Sequence, residues 1–222
     1  MDATLINLGE HVEWRKAHVE IAEAYAALGC SMQDVEACSG KGLFSMLEDM
    51  WEANIMKLGV EEANRIQAEA YDILHRHEEE GVSRCTLMAG CLDALDWLKD
   101  HRIPLGICTS NSQEVAEQAL ETQGLSPYFD VVIGRSTAYM MKPSPDQLRA
   151  CYHLLGANPE NSVFVGDSHK DVLAGKALGS YTIAVPVYFT NLDEVKAAGV
   201  DLIIESLADL PRALLEVKTL NR

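Results

Sequence analysis

The chain has 222 residues and carries 34 acidic against 18 basic side chains, a formal charge of −16, which excludes nucleic acid and anionic membrane surfaces as general partners. That length holds one good core, or a core plus a smaller lobe, and a hydrophobic share of 48% excludes a disordered chain. Six cysteines without a CxxC pair, a start with no basic and apolar leader, and no apolar run of membrane-spanning length predict a soluble cytoplasmic protein with reduced thiols and no disulfides.

From Glu10 to about Glu80 apolar residues recur at helical spacing: Val12, Val19, Ala22, Tyr25 and Ala26, then Phe44, Leu47, Met50, Trp51, Ile55 and Leu58, then Ile66, Ala70, Ile73 and Leu74. Glycines at 29, 40, 42, 59 and 81 punctuate this run, so it reads as several helices packed as a bundle, with Lys41 on a Gly-flanked loop. His75 and His77 are two apart and do not share a helix face; with Glu78 to Glu80 they read as a solvated helix end. From Ala89 the period changes. A helix over Cys91–Asp100 leads to a strand Ile103–Cys108 that ends at Thr109 to Ser112, followed by a helix Gln113–Gln123 and a strand Val131–Ile133. A loop to Lys142, a helix Pro145–Leu155, a strand Ser162–Val165 and a helix Lys170–Leu178 come next. Strand Tyr181–Val185, helix Leu192–Ala198, strand Leu202–Ile204 and helix Leu207–Val217 close the chain. Alternation at this spacing predicts a parallel sheet covered on both faces, with an all-helical insert ahead of it.

The stretch Val163–Asp171 is an apolar run that breaks at Gly166 into two carboxylates, Asp167 and Asp171, at the mouth of a helix. Ligands of parallel sheets sit beyond the carboxyl ends of the strands, and oxygen donors without nearby Cys or paired His favour Mg²⁺. A second reading has Asp167 as a helix cap and Asp171 in a favourable first turn. Thr109 can likewise be a cap or, with Ser110 and Asn111 at a helix start, part of a cradle for phosphate oxygens. Lys142, in Lys-Pro-Ser-Pro, is either a solvated lysine or a fixed positive charge. Hydroxyl, lysine and acidic pair in this order, each near a strand end, together describe a phosphoryl site.

These segments resemble the haloacid dehalogenase superfamily, in its phosphatase branch with a helical cap, and most closely the phosphoglycolate phosphatases. Cys108–Asn111 matches the family's second motif, Lys142-Pro143 the third and Gly166–Asp171 the fourth, while Tyr128–Gly134 resembles its linking segment. The resemblance implies a three-layer, Rossmann-like α/β fold. Residues 1–9 and 84–222 would form the core, and residues 10–83 a helical cap inserted after the first motif. It implies a Mg²⁺-dependent phosphatase acting on a small phosphorylated metabolite such as phosphoglycolate. Thr109, Ser110, Asn111 and Lys142 would bind the phosphoryl group, and Asp2, Asp167 and Asp171 would form the metal site. Lys41 is the cap candidate for a substrate anion, and His169 is a bystander within the fourth motif.

The first motif of that family is Asp-x-Asp-x-Thr, and here the chain reads Met1-Asp2-Ala3-Thr4-Leu5. Asp2 matches the general acid/base, whereas the nucleophilic Asp, which would form an aspartyl-phosphate, falls immediately before Met1. The central strand ahead of it is also missing, so the sheet would have to close around a gap. We therefore expect a truncation that leaves the chain inactive, with a phospho-ligand-binding relative, a sugar-phosphate mutase, a phosphonate hydrolase or a dehalogenase as alternatives on the same fold.

Overall fold

The computed structural model describes residues 1–187 and 190–220. Four helices precede the strands, over the stretch expected as a cap: α1 (Trp14–Ala27), α2 (Met32–Ser39), α3 (Leu43–Leu58) and α4 (Val60–Val82). Each turns one stripe inward, and Ile21, Tyr25, Met46, Leu47, Met50 and Leu74 have no exposed surface. Two polar groups in this apolar interior satisfy each other, as burial requires. Tyr25 Oη donates to Gln67 Oε1 (2.8 Å), and Gln67 Nε2 donates to the Leu47 carbonyl (3.2 Å).

The α/β part runs α5 (Cys91–Asp100), β1 (Gly106–Ser112), α6 (Gln113–Thr122), β2 (Val131–Arg135), α7 (Asp146–Leu155), β3 (Val163–Gly166), α8 (His169–Ala177), β4 (Tyr181–Ala184), α9 (Leu192–Ala197), β5 (Leu202–Ile203) and α10 (Leu210–Leu220). All strand pairs are parallel, and they form two ladders, β1-β2 and β3-β4-β5. Among the described residues no backbone ladder joins β1 to β3. Side chains do the joining: Met1, Ile107, Ile183 and Val185 belong to one hydrophobic cluster against which Val163 and Val165 pack. The first residues fold back at this seam, with Asp2 bridging to Ile6, and Ile6 to Leu87.

Two elements start three residues later than the sequence expectation. β1 begins at Gly106 rather than Ile103, because Pro104 has no N–H for a ladder and the Leu105 N–H is taken by Asp130 (3.2 Å). The last helix begins at Leu210, after a short 3₁₀ turn at Leu207–Asp209 whose first free N–H, that of Ala208, is capped by Ser206 Oγ (3.2 Å). All six cysteines are buried and unpaired, and among the described residues no helix is long and apolar enough to cross a membrane.

Candidate active site

β1 and β3 deliver their carboxyl ends to one cavity of about 700 Å³, lined by Asp2, Thr109, Ser110, Asn111, Lys142, Asp167 and Asp171. Seven residues read from sequence as chemical thus meet in one place. Lys142 Nζ lies 2.6 Å from Asp171 Oδ1 and donates to the Cys108 carbonyl (3.2 Å). Burial opposes the charge on Lys142, but Asp171 beside it outweighs burial and holds the ammonium's pKa above its ordinary value. Burial opposes the charge on Asp171 as well, and Lys142 with Ser168 overcomes it, so that carboxyl titrates below the ordinary range. Asp171 Oδ2 accepts from both the Ser168 N–H (3.1 Å) and its Oγ (2.6 Å), closing a capping box at the start of α8. The cap reading of this stretch therefore falls on Ser168 and Asp171, and leaves Asp167 to the cavity.

Asp167 is pushed up to about 6, first by burial and then by the neighbouring Asp171 carboxylate. Asp2 also titrates above its ordinary value through burial, although its Oδ1 accepts from the N–H groups of Gly9 (2.8 Å) and Ala3 (2.9 Å). Two glycines permit this crowding. A Cβ on Gly9 would stand 2.7 Å from Asp2 Oδ2, and one on Gly166 only 2.3 Å from Asp171 Cγ. The α-amino group of Met1 is buried beside Lys142, Asp171, Asp167 and Asp2, and burial lowers its pKa.

A hydroxyl, an ammonium and crowded carboxylates at the carboxyl edge of parallel strands are the parts of a phosphoryl-transfer centre. The family model described as haloacid dehalogenase-like hydrolase matches residues 1–185. The chain belongs to the haloacid dehalogenase-like hydrolases. It is 32% identical over 137 residues to a phosphoglycolate phosphatase of Chromobacterium violaceum, covering 62% of this chain and 60% of that one. It is 27% identical over 210 residues to a pyrophosphatase of Halalkalibacterium halodurans, covering 95% and 92%. The matches span 55–62% of the length of the first four relatives. Among solved structures, CbbY from Rhodobacter sphaeroides in complex with phosphate superposes with a TM-score of 0.60 at 23% identity over 95% of this chain and 93% of that one. At that identity the likeness shows the fold, which is the expected α/β architecture with parallel strands.

One sequence candidate, Lys41, lies elsewhere in this haloacid dehalogenase-like fold, and His169, read as a bystander, also stands outside the cavity. Lys41 is exposed, its Nζ 2.5 Å from Asp49, and it does not line the cavity. The cation found there instead is Lys170, at the start of α8, and the cap contributes Trp14 and Phe44, whose rings stand 5.7 Å apart. His169 pairs with Glu194 (3.0 Å). In the stretch His75 to Glu80, expected as a solvated helix end, Arg76, Glu79 and Glu80 are exposed, but His77 and Glu78 are buried. α4 runs on to Val82 and packs against β1 and α6, so its last turns belong to an interface. His77 Nε2 lies 2.9 Å from Glu20, His75 Nδ1 lies 2.8 Å from Ser112 Oγ, and Glu78 is fully buried.

Three buried polar residues that support the site were missed from sequence. Glu78 pairs with Arg135, and Gln147 Nε2 donates to the carbonyls of Thr109 (3.0 Å) and Gly134 (2.8 Å), tying β1 and β2 to α7. The available signal was a polar side chain on an apolar stripe. Ala70, Leu74, Glu78 and Val82 fall at steps of four, and Gln147 shares its face with Cys151.

Proposed function

We propose that this hydrolase acts on a small phosphate monoester of the phosphoglycolate kind, with Mg²⁺ as cofactor. The observation that carries the reading is the convergence of Thr109, Lys142, Asp167 and Asp2 on one cavity. Supporting it are relatives named as a phosphoglycolate phosphatase and a pyrophosphatase. Thr109 and the adjoining N–H groups would receive the phosphoryl oxygens, Lys142 would balance their charge, and the cap with Trp14 and Phe44 would exclude water. Lys170 takes the place expected of Lys41 as the cation for a substrate anion.

Among the described residues no three His, Cys, Asp or Glu side chains gather as a ready metal cluster. The donor chemistry nonetheless fits a hard cation: Asp167 is a half-buried carboxylate whose pKa is raised by burial and by Asp171. Asp167 would hold it directly with the Asp2 carbonyl, and Asp171, whose oxygens are engaged by Lys142 and Ser168, would act from behind. Bound there, Mg²⁺ would supply positive charge against that developing on the phosphoryl oxygens.

In the family route a carboxylate attacks phosphorus and the P–O bond to the leaving group breaks. Asp2 gives its proton to the departing oxygen, then takes one from the water that cleaves the acyl phosphate, releasing inorganic phosphate. Its raised pKa suits the first of these roles. The motif that Asp2 matches gives the nucleophilic role to a carboxylate two positions ahead of the acid/base. The test is phosphate release from phosphoglycolate and p-nitrophenyl phosphate with Mg²⁺, comparing the chain beginning at Met1 with one carrying an Asp ahead of it. Turnover in the second and none in the first supports the covalent route, and Asp2→Asn should then cut turnover at least a hundredfold, about the usual acid/base contribution. Equal turnover in both chains would overturn it. Phosphate binding without turnover in either would favour the phospho-ligand-binding alternative.

A further inference from the structure

Both side chains of the Glu78–Arg135 pair are fully shielded from solvent, although neither faces the cavity. The pair spans three parts of the molecule. Glu78 stands near the end of cap helix α4, Arg135 ends β2, and the stretch from Thr109 to Ser112 lies against both. Glu78 Oε1 accepts from Arg135 Nη1 (2.8 Å) and Asn111 Nδ2 (3.2 Å); Oε2 accepts from Arg135 Nη2 (3.0 Å) and the Ser112 N–H (3.2 Å). Arg135 Nη1 also donates to the Ser110 carbonyl (2.6 Å). Asn111 passes the constraint on, because its Oδ1 accepts from Thr109 Oγ1 (2.9 Å) while its own N–H donates back to that oxygen (3.3 Å).

We infer that Glu78 and Arg135 are positioning residues that fix the phosphate-binding stretch Thr109 to Ser112 from the cap side; this rests on the phosphoryl-site reading of that stretch. Stability alone is a poor reason for the pair, since a buried ion pair can often be replaced by apolar side chains of similar volume without loss. Apolar side chains could not hold direction. Each of residues 109 to 112 is anchored, directly or through Asn111, by one of the two charges. The oxygen of Thr109 is thereby fixed at the cavity, and only its proton need rotate from Asn111 to an arriving phosphoryl oxygen. Because Glu78 belongs to α4, the same contact ties the placement of the cap to the geometry of the phosphate loop.

The experiment titrates inorganic phosphate into the full chain by calorimetry and follows thermal unfolding of each variant. Glu78→Met/Arg135→Met is expected to fold with little change in Tm and to bind phosphate about tenfold more weakly, the scale of one charge-assisted hydrogen bond. Glu78→Gln/Arg135→Met restores an oxygen toward Asn111 and Ser112 without the ion pair, and is expected to recover most of the affinity. Arg135→Lys keeps the charge opposite Glu78 but cannot fork to the Ser110 carbonyl, so part of the affinity should be lost even if the Met pair does not fold. Wild-type affinity in a folded Met pair, or in Arg135→Lys, overturns the inference while leaving the phosphoryl reading intact. No phosphate binding by the wild-type chain overturns both.

Discussion

Asp167 puts a carboxylate into a half-buried position where, among the described residues, no donor bonds to its side chain. Its carboxyl is pushed up to about 6 by burial first and by Asp171 second. A raised carboxyl pKa stabilises the fold fully below the ordinary value of 3.8 and loses that stabilisation as pH rises through about 6. Asp167→Asn should therefore gain stability relative to wild type between pH 4 and pH 8 in metal-free buffer. After allowance for solvent screening the gain is about 1–2 kcal/mol, readable by urea denaturation at the two pH values. No gain would mean that the carboxylate is not crowded as described. Asp167 and Asp171 were legible in sequence because they follow an apolar strand and a glycine turn. Glu78 was not read, because three successive glutamates preceded by His-Arg-His suggest a solvated end, although the stripe of Ala70, Leu74 and Val82 at steps of four singles out Glu78 as the one that turns inward.

Elements were easier to read than their junctions. The helices after Ala89 were found within a few residues, because each carries an apolar stripe, and the parallel strands because each is a short apolar run between them. What the periods could not convey is how strands are tied together. Gln147, on α7, has no exposed surface and holds two carbonyls, one in β1 and one in β2. Gln147→Leu would leave both without that donor in an apolar setting. We expect a loss of about 2–4 kcal/mol, at one to two kcal/mol for each unsatisfied group, seen as a lower Tm, together with weaker phosphate binding. Unchanged stability and affinity would show that the two strands are held by their own ladder.

At the scale of the molecule, the larger two of four hydrophobic clusters among the described residues lie mostly in the α/β part and among the four leading helices, and Trp14 packs against both. The run of helices ahead of the alternating strands and helices was legible in the change of period near Ala89. The assembled site was legible only as four separated segments, since no spacing in the chain states that β1 and β3 end at the same cavity. The sheet itself is held across its seam by side chains, where the family resemblance calls for a central strand. The account stands on the claim that Asp2, Thr109, Lys142 and Asp167 act as one phosphate and cation site. Calorimetric titration of inorganic phosphate into wild-type protein and Asp167→Asn, each with and without Mg²⁺, tests it most directly. We predict that Mg²⁺ strengthens phosphate binding severalfold in the wild-type chain and leaves the variant unaffected. Phosphate binding that ignores Mg²⁺ in both proteins, or a Mg²⁺ effect that survives in the variant, would contradict the account.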